Sequence, residues 1–175
     1  MKFLWSANPF KKNREQEAVA AALKNCYLFE SFSVKELAYL KDRLHVRKYT
    51  VGENVFEQHQ PGTGVYVLVS GSVAIEEESF FVDRKSDKET KKTTVIENLV
   101  SGNFFGEFAL IDEEHIRPAT AKIIEPSLIV TFFKPDFMEL IKQHPSTGVK
   151  LCLRLAKVAS ERLKDAAEEI KKARS

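Results

Sequence analysis

Gly102-Asn103-Phe104-Phe105-Gly106-Glu107-Phe108-Ala109-Leu110-Ile111, followed by Arg117-Pro118-Ala119-Thr120-Ala121, decides the reading of this chain. Within twenty residues it sets a glycine-flanked turn, a lone carboxylate, a short apolar segment and one arginine. A glycine lets backbone N–H groups approach a ligand closely. A helical turn after it aims further N–H groups and a positive dipole end at an anion. Arginine offers a planar fork suited to phosphate oxygens. A carboxylate facing phosphate would repel it, so Glu107 is expected to meet a neutral donor such as a sugar hydroxyl. One anionic group, one sugar and one base describe a nucleotide with a single phosphate.

Around this stretch the pattern is short β segments with glycine punctuation. Candidate strands are 46–49, 54–57, 64–70, 72–78, 93–99, 119–125 and 127–133, with turns at Gly52, Pro61-Gly62, Gly71 and Gly102. Seven short strands at close spacing argue for a barrel or jelly roll. The charged run from Asp83 to Lys92 reads as a solvated hairpin tip. The expected fold is mainly β with flanking helices: a β-jelly-roll barrel with N-terminal helices and a long C-terminal helix.

The helices announce themselves by composition and caps. Glu15 to Asn25 is alanine-rich and helix-favouring. Ser33 with Glu36 three residues on forms a capping box, and Leu37, Leu40 and Leu44 follow on one face. Phe137, Leu140 and Ile141 fit a short helix ended at His144-Pro145. A last helix is expected from about Ser146 to Lys172. Val149, Cys152, Ala156, Ala159, Leu163, Ala166 and Ile170 form a heptad seam on it, with Leu151, Leu155 and Val158 as a second stripe. The expectation is a homodimer through residues 149–170, against the alternative of a lone helix laid along the barrel.

Composition bounds the function. The chain has 175 residues, 43% hydrophobic and 30% charged, and a net charge of +2. That fits one soluble domain with an appendage, and the charge is too small to imply nucleic-acid binding. No apolar run approaches the roughly 18 residues needed to span a membrane. Residues 1–14 carry Lys2, Lys11, Lys12 and Arg14 among Phe3, Leu4, Trp5 and Phe10, without an acid. The favoured reading is a tail folding back onto the domain. Membrane contact by this arm is the weaker one, because a single short arm binds membranes marginally. Cys26 and Cys152 stand apart with no CxxC and no histidine at zinc spacing, which reads as two reduced thiols in a cytoplasmic protein.

In this order the elements resemble the cyclic nucleotide-binding domain family over roughly residues 26–165. Val51-Gly52-Glu53-Asn54-Val55-Phe56 resembles the family's "G-E-x-[IV]-F" strand, and Pro61 to Val73 its glycine-bounded hairpin. Phe105-Gly106-Glu107-Phe108-Ala109-Leu110-Ile111 resembles the phosphate-binding cassette almost residue for residue. The resemblance implies that Glu107 accepts from a ribose 2′-hydroxyl and that Arg117 pairs with a cyclic phosphate. It implies donors from the backbone around Gly106, Phe108 and Ala109, with Phe105 beside them. Ala119 and Thr120 close the cassette, and Ile75, Ile96 and Leu99 fall where the family builds apolar walls. Arg162, on the last helix, is a candidate cap on the base.

Three departures stand out, one of them that Ser160-Glu161-Arg162-Leu163 stands where transcription factors of the family place hydroxyl residues against the base. Arg117 follows Glu107 by ten positions, one more than in many members. Pro118 occupies a place where many members donate an N–H to the phosphate, and proline has none. The implied ligand is a cyclic nucleotide, cAMP ahead of cGMP, with no cofactor or metal. The expected domains are an N-terminal arm and helix (1–25), the binding roll (26–145) and a lid or dimerisation helix (146–175).

His45, His59, His115 and His144 are scattered, with no H-x-H pair for a metal-dependent cupin and no nucleophilic triad context, so an enzyme is not expected. No recognition unit for DNA follows the last helix, so direct DNA binding is not expected, and the output is assigned to an unknown effector protein or to a second copy. The alternative is a nucleotide-independent interaction scaffold that keeps only the fold, with Glu107 and Arg117 as a structural ion pair.

Overall fold

Ser33 starts a helix as its sequence implies. Its Oγ accepts the N–H of Glu36, and the Glu36 carboxylate accepts the N–H of Ser33 at 2.7 Å. This reciprocal cap opens α2 (Val34–Lys41) and, with Lys150, holds the Glu36 carboxyl down to about 2. The structure is a computed structural model that describes residues 9–83, 88–112, 114 and 116–174. Before α2 come α1 (Pro9–Asn25) and a 3₁₀ turn at Tyr27–Phe29. The helix expected from Glu15 therefore begins at Pro9, inside what reads as the basic arm. The remainder of the arm, with its expected tail or membrane contacts, lies outside the described residues.

Among the described residues six strands follow: β1 (His45–Tyr49), β2 (Asn54–Phe56), β3 (Gly64–Asp83), β4 (Lys88–Val100), β5 (Phe104–Phe105) and β6 (Thr120–Phe133). All pairings are antiparallel. β6 lies between β1 and β3, β3 lies between β6 and β4, and β2 and β5 add to β6 and β3. The long strands serve two parts of the roll in succession, which is why six strands make a mainly-β roll where seven segments are legible in the sequence.

Gly71 and the Glu125–Ser127 junction correct two expected breaks. Gly71 is no turn: β3 runs through it at φ +93°, and its pairing with β6 shifts register on either side. A Cβ there would sit 2.3 Å from Ser127 Oγ and 2.5 Å from the carbonyl oxygen of Pro126. Gly71 and Pro126 thus face each other where both long strands bend, so punctuation that reads as turns marks a shared kink. β4 also begins earlier than expected, at Lys88, and the charged run forms the far end of the β3–β4 ribbon. Residues 84–87 at its tip lie outside the described residues.

Two buried clusters divide the interior. One joins the helices to the roll through Val19, Leu23, Leu28, Phe29, Leu40, Val130, Phe132 and Phe137. The other fills the roll with Tyr49, Tyr66, Leu68, Leu99, Phe105, Ile123 and Ile129. α3 (Phe108–Ile111), α4 (Lys134–Gln143) and α5 (Pro145–Ala173) complete the chain. On α5 the second stripe, Leu151, Leu155 and Val158, is the one buried against the first cluster. The heptad seam is left largely outward, with Val149, Leu163 and Ile170 exposed. Among the described residues, no helix is long and apolar enough to cross a membrane.

Candidate functional site

Arg117 is held by its backbone before its side chain does anything. Its N–H donates to Gln60 O and its carbonyl accepts from His59 N, both at 2.9 Å, and Ile116 bridges to Pro61. The loop after β2 thus carries the arginine beneath β5. The guanidinium stacks over Phe56 at 4.1 Å and donates to Gly106 O at 3.0 Å and Gly64 O at 2.9 Å. It is 1% exposed, and its Nε has no hydrogen-bond partner. Burial draws its pKa down, opposed by Tyr66 and Glu107, yet an arginine so placed stays charged.

Gly106 permits this approach. Its φ is +75°, and a Cβ on it would lie 2.4 Å from Arg117 Nη1. Glu107 follows as the N-cap of α3, whose Ala109 and Leu110 are buried and anchor the turn to the roll. Only 1% of Glu107 is exposed, and neither of its buried carboxylate oxygens has a hydrogen-bond partner. Burial pushes its pKa up, and Arg162 opposes the shift. Arg162 Nη1 of α5 lies 3.1 Å from Glu107 Oε1. The ion pair at this carboxylate is therefore with Arg162, while Arg117 rests on carbonyls.

These groups border a cavity of about 260 Å³. Of the residues singled out in the sequence, Phe105, Gly106, Glu107, Phe108, Arg117, Pro118, Ala119, Ile75, Ile96 and Arg162 line it. Three expected residues lie off its wall. Ala109, within α3, is fully buried, and Leu99 lies in the roll's interior cluster. Thr120 turns its hydroxyl to accept the N–H of Gln58. Phe56, Glu77 and Glu97 line the cavity without having been singled out in the sequence. Phe56 ends the glycine-led strand already recognised, so its place was available as a signal. Glu77 sits in the run Glu76-Glu77-Glu78, which reads equally as a solvated face, and Glu97 stands alone between Ile96 and Asn98 with no motif around it.

Arg162 depends on how α5 is seated. Tyr27 Oη donates to the Glu161 carboxylate at 2.8 Å, and the ring lies under Arg154 and Lys157. Arg154 also bonds the Tyr27 carbonyl and pairs with Glu30 at 3.1 Å. The 3₁₀ turn thus grips α5 one residue before Arg162.

A family model described as the cyclic nucleotide-binding domain matches residues 46–144, more than half of the chain. The chain belongs to that family. As a cyclic nucleotide-binding domain it is 28% identical over 135 residues to the cyclic AMP receptor protein of Thermus thermophilus, covering 77% of this chain and 58% of that protein. It superposes on the crystal structure of the Thermus thermophilus catabolite activator protein with a TM-score of 0.64 at 26% identity, covering 83% of this chain and 62% of that one. The regulatory domain of Toxoplasma gondii PKA, solved with cAMP, shares the fold at a TM-score of 0.65 and 22% identity, covering 85% and 51%. The matches span 27% to 58% of the length of the first three curated relatives.

Proposed function

We propose that this domain binds a cyclic nucleotide in the cavity bordered by Glu107 and Arg117. One observation carries the proposal: a carboxylate 1% exposed, with both oxygens lacking a hydrogen-bond donor, facing a cavity. Leaving such a group unsatisfied costs about 1–3 kcal/mol, and a ribose 2′-hydroxyl would supply the donor. Arg117 would receive the cyclic phosphate, trading carbonyl acceptors for a charged one. The backbone around Gly106, Phe108 and Ala109 would add donors, with Ala119 and Thr120 closing the cassette beyond Pro118. Ile75 and Ile96 would supply apolar surface for the base, with Leu99 packed behind them in the interior cluster rather than on the wall. The names of relatives point to cAMP as a ligand the cavity accepts.

Arg162 is the natural lid contact. A ligand that takes Glu107 shifts Arg162 from its present pairing, and with it the balance between positions of α5. The output then passes to an effector protein or to a second copy through residues 149–170. The division at residues 25 and 145 into arm, binding roll and lid helix belongs to this proposal. So does action as a regulatory module without catalysis, with a cytoplasmic site resting on the free thiols Cys26 and Cys152.

The scaffold reading is favoured by one feature: Arg117 already donates to two carbonyls, beside a proline with no N–H to offer. Calorimetry with cAMP and cGMP on the wild type and Arg117→Ala separates the two. Binding by the wild type, weakened at least ten-fold in the variant, is the expected result. Negligible heat from both proteins with both ligands would leave the scaffold.

A further inference from the structure

Beyond Glu107, two more carboxylates line the same cavity: Glu77 and Glu97. The strand geometry brings them together. Ile75 on β3 pairs directly with Glu97 on β4, so their side chains share one face. Alternation carries Glu77 to that face as well. Between Ile75 and Glu76 the register slips, because Glu76 pairs with Val95 and Ile96 is the extra residue. This bulge lets Ile96 and Glu97, neighbours in sequence, both line the cavity. The result is an apolar slot of Ile75 and Ile96 with carboxylates beside it.

The acids on either side of Glu77 have cationic partners. Glu76 pairs with Lys122, and Glu78 pairs with Lys91 at 2.7 Å. Among the described residues, Glu77 and Glu97 have no ion-pair partner. Glu97 is close enough to Glu107 for its charge to be felt there. Two unpaired acids in a site for an anionic ligand oppose the phosphate unless they meet donors on its other end. The unsatisfied carboxylate of Glu107 in the same cavity marks where the sugar end lies.

We propose that Glu97, backed by Glu77, reads the base of the bound nucleotide and selects guanine over adenine. The inference rests on the cavity being a cyclic-nucleotide site. Guanine presents N1–H and N2–H side by side, two parallel donors that fit the two oxygens of one carboxylate. Adenine presents the N6 amino group beside the N1 lone pair, so it offers one donor and one repulsion. Arg162, also lining the cavity, adds to the same choice. Arginine complements the O6 and N7 acceptors of guanine, whereas adenine sets a donor at the position of O6. Relatives and sequence put cAMP first; this rim argues that cGMP binds more tightly.

A bidentate base contact discriminates by about five-fold to a hundred-fold, and these exposed carboxylates belong in the lower part, about ten-fold. The test is calorimetry of cGMP, cIMP and cAMP against the wild type, Glu97→Gln and Glu77→Gln. Both side chains are exposed, so thermal unfolding of the variants should match the wild type and rule out misfolding. Expected is cGMP about ten-fold tighter than cAMP, with cIMP, which lacks N2, between them. Glu97→Gln should remove most of the cGMP advantage by weakening cGMP and tightening cAMP, since the amide can donate to adenine N1 and accept from N6, and Glu77→Gln should remove less. Equal wild-type affinities for cGMP and cAMP, or an advantage that survives both substitutions, would overturn base selection while leaving nucleotide binding intact. No binding of any of the three would overturn the binding reading itself.

Discussion

Arg162 Nη1 stands 3.1 Å from Glu107 Oε1, joining the last helix to the short helix of the cassette. The pair is unequal. Glu107 is buried, whereas 45% of the Arg162 side chain meets solvent. Contact at ion-pair distance without a hydrogen bond leaves the carboxylate oxygens unsatisfied. The helix therefore rests on the cassette through a charge pair rather than a hydrogen bond.

Glu107→Gln should stabilise the ligand-free protein at neutral pH and abolish tight nucleotide binding together. Burial raises the Glu107 pKa in the folded chain, so the folded state holds the proton over a window above the ordinary carboxylate range. Stability then falls as pH rises through that window, and the penalty is absent below it, where the carboxyl is neutral in both states. Removing the charge should gain about 1 kcal/mol at pH 7, or roughly 2–4 °C in Tm for a chain of this size. The gain should vanish near pH 4. Thermal melts at both pH values, with calorimetry at pH 7, check it. A lower Tm at pH 7 would show Glu107 to be a net structural asset.

Gly106→Ala and Gly102→Ala form a matched pair. Both glycines have positive φ, +75° and +92°, but only Gly106 lies against the arginine. A Cβ at Gly102 would have nothing within 4 Å. Gly102→Ala should cost only backbone strain, about 1 kcal/mol, and leave nucleotide affinity alone. Gly106→Ala should add displacement of Arg117, costing about 2 kcal/mol in all, a Tm loss of roughly 4–8 °C, and weaken binding at least ten-fold. Melts and calorimetry on both variants decide it, and equal effects of the two on affinity would refute the role assigned to Gly106.

What could be read from the sequence was what is local or carried by a motif. The Ser33–Glu36 cap is a contact three residues long, and it forms as written. The Gly106–Glu107 turn and Arg117 were legible because their spacing is tied to one arrangement of loop and helix. The continuity of β3 and β6 was hidden, because Gly71 and Pro126 carry turn chemistry and only their meeting across the sheet shows a kink. Phe104–Phe105 is too short a strand to have a period. Which stripe of α5 faces the roll was undecidable, since both are apolar at helical spacing. The partner of Glu107 was equally hidden: Arg162 reaches it through the seating of α5, by Leu151, Leu155 and Val158 in the core and by Tyr27 on Glu161.

The outward seam of α5 carries the last expectation. From Arg162 to Arg174 every residue is exposed, including Leu163 at 72% and Ile170 at 52%. A helical stretch of that length is marginal in water by itself, so a partner helix would supply the burial it lacks. The full chain should then run as a dimer of 19.9 kDa subunits at tens of micromolar in light scattering. Leu163→Glu with Ile170→Glu should give the monomer and lower the helical signal at 222 nm, without moving the unfolding of the roll by more than about 1 kcal/mol, as expected for exposed positions. A monomeric wild type with the same helical signal as the variant would mean that this half of α5 stands alone, and that the seam serves no second copy.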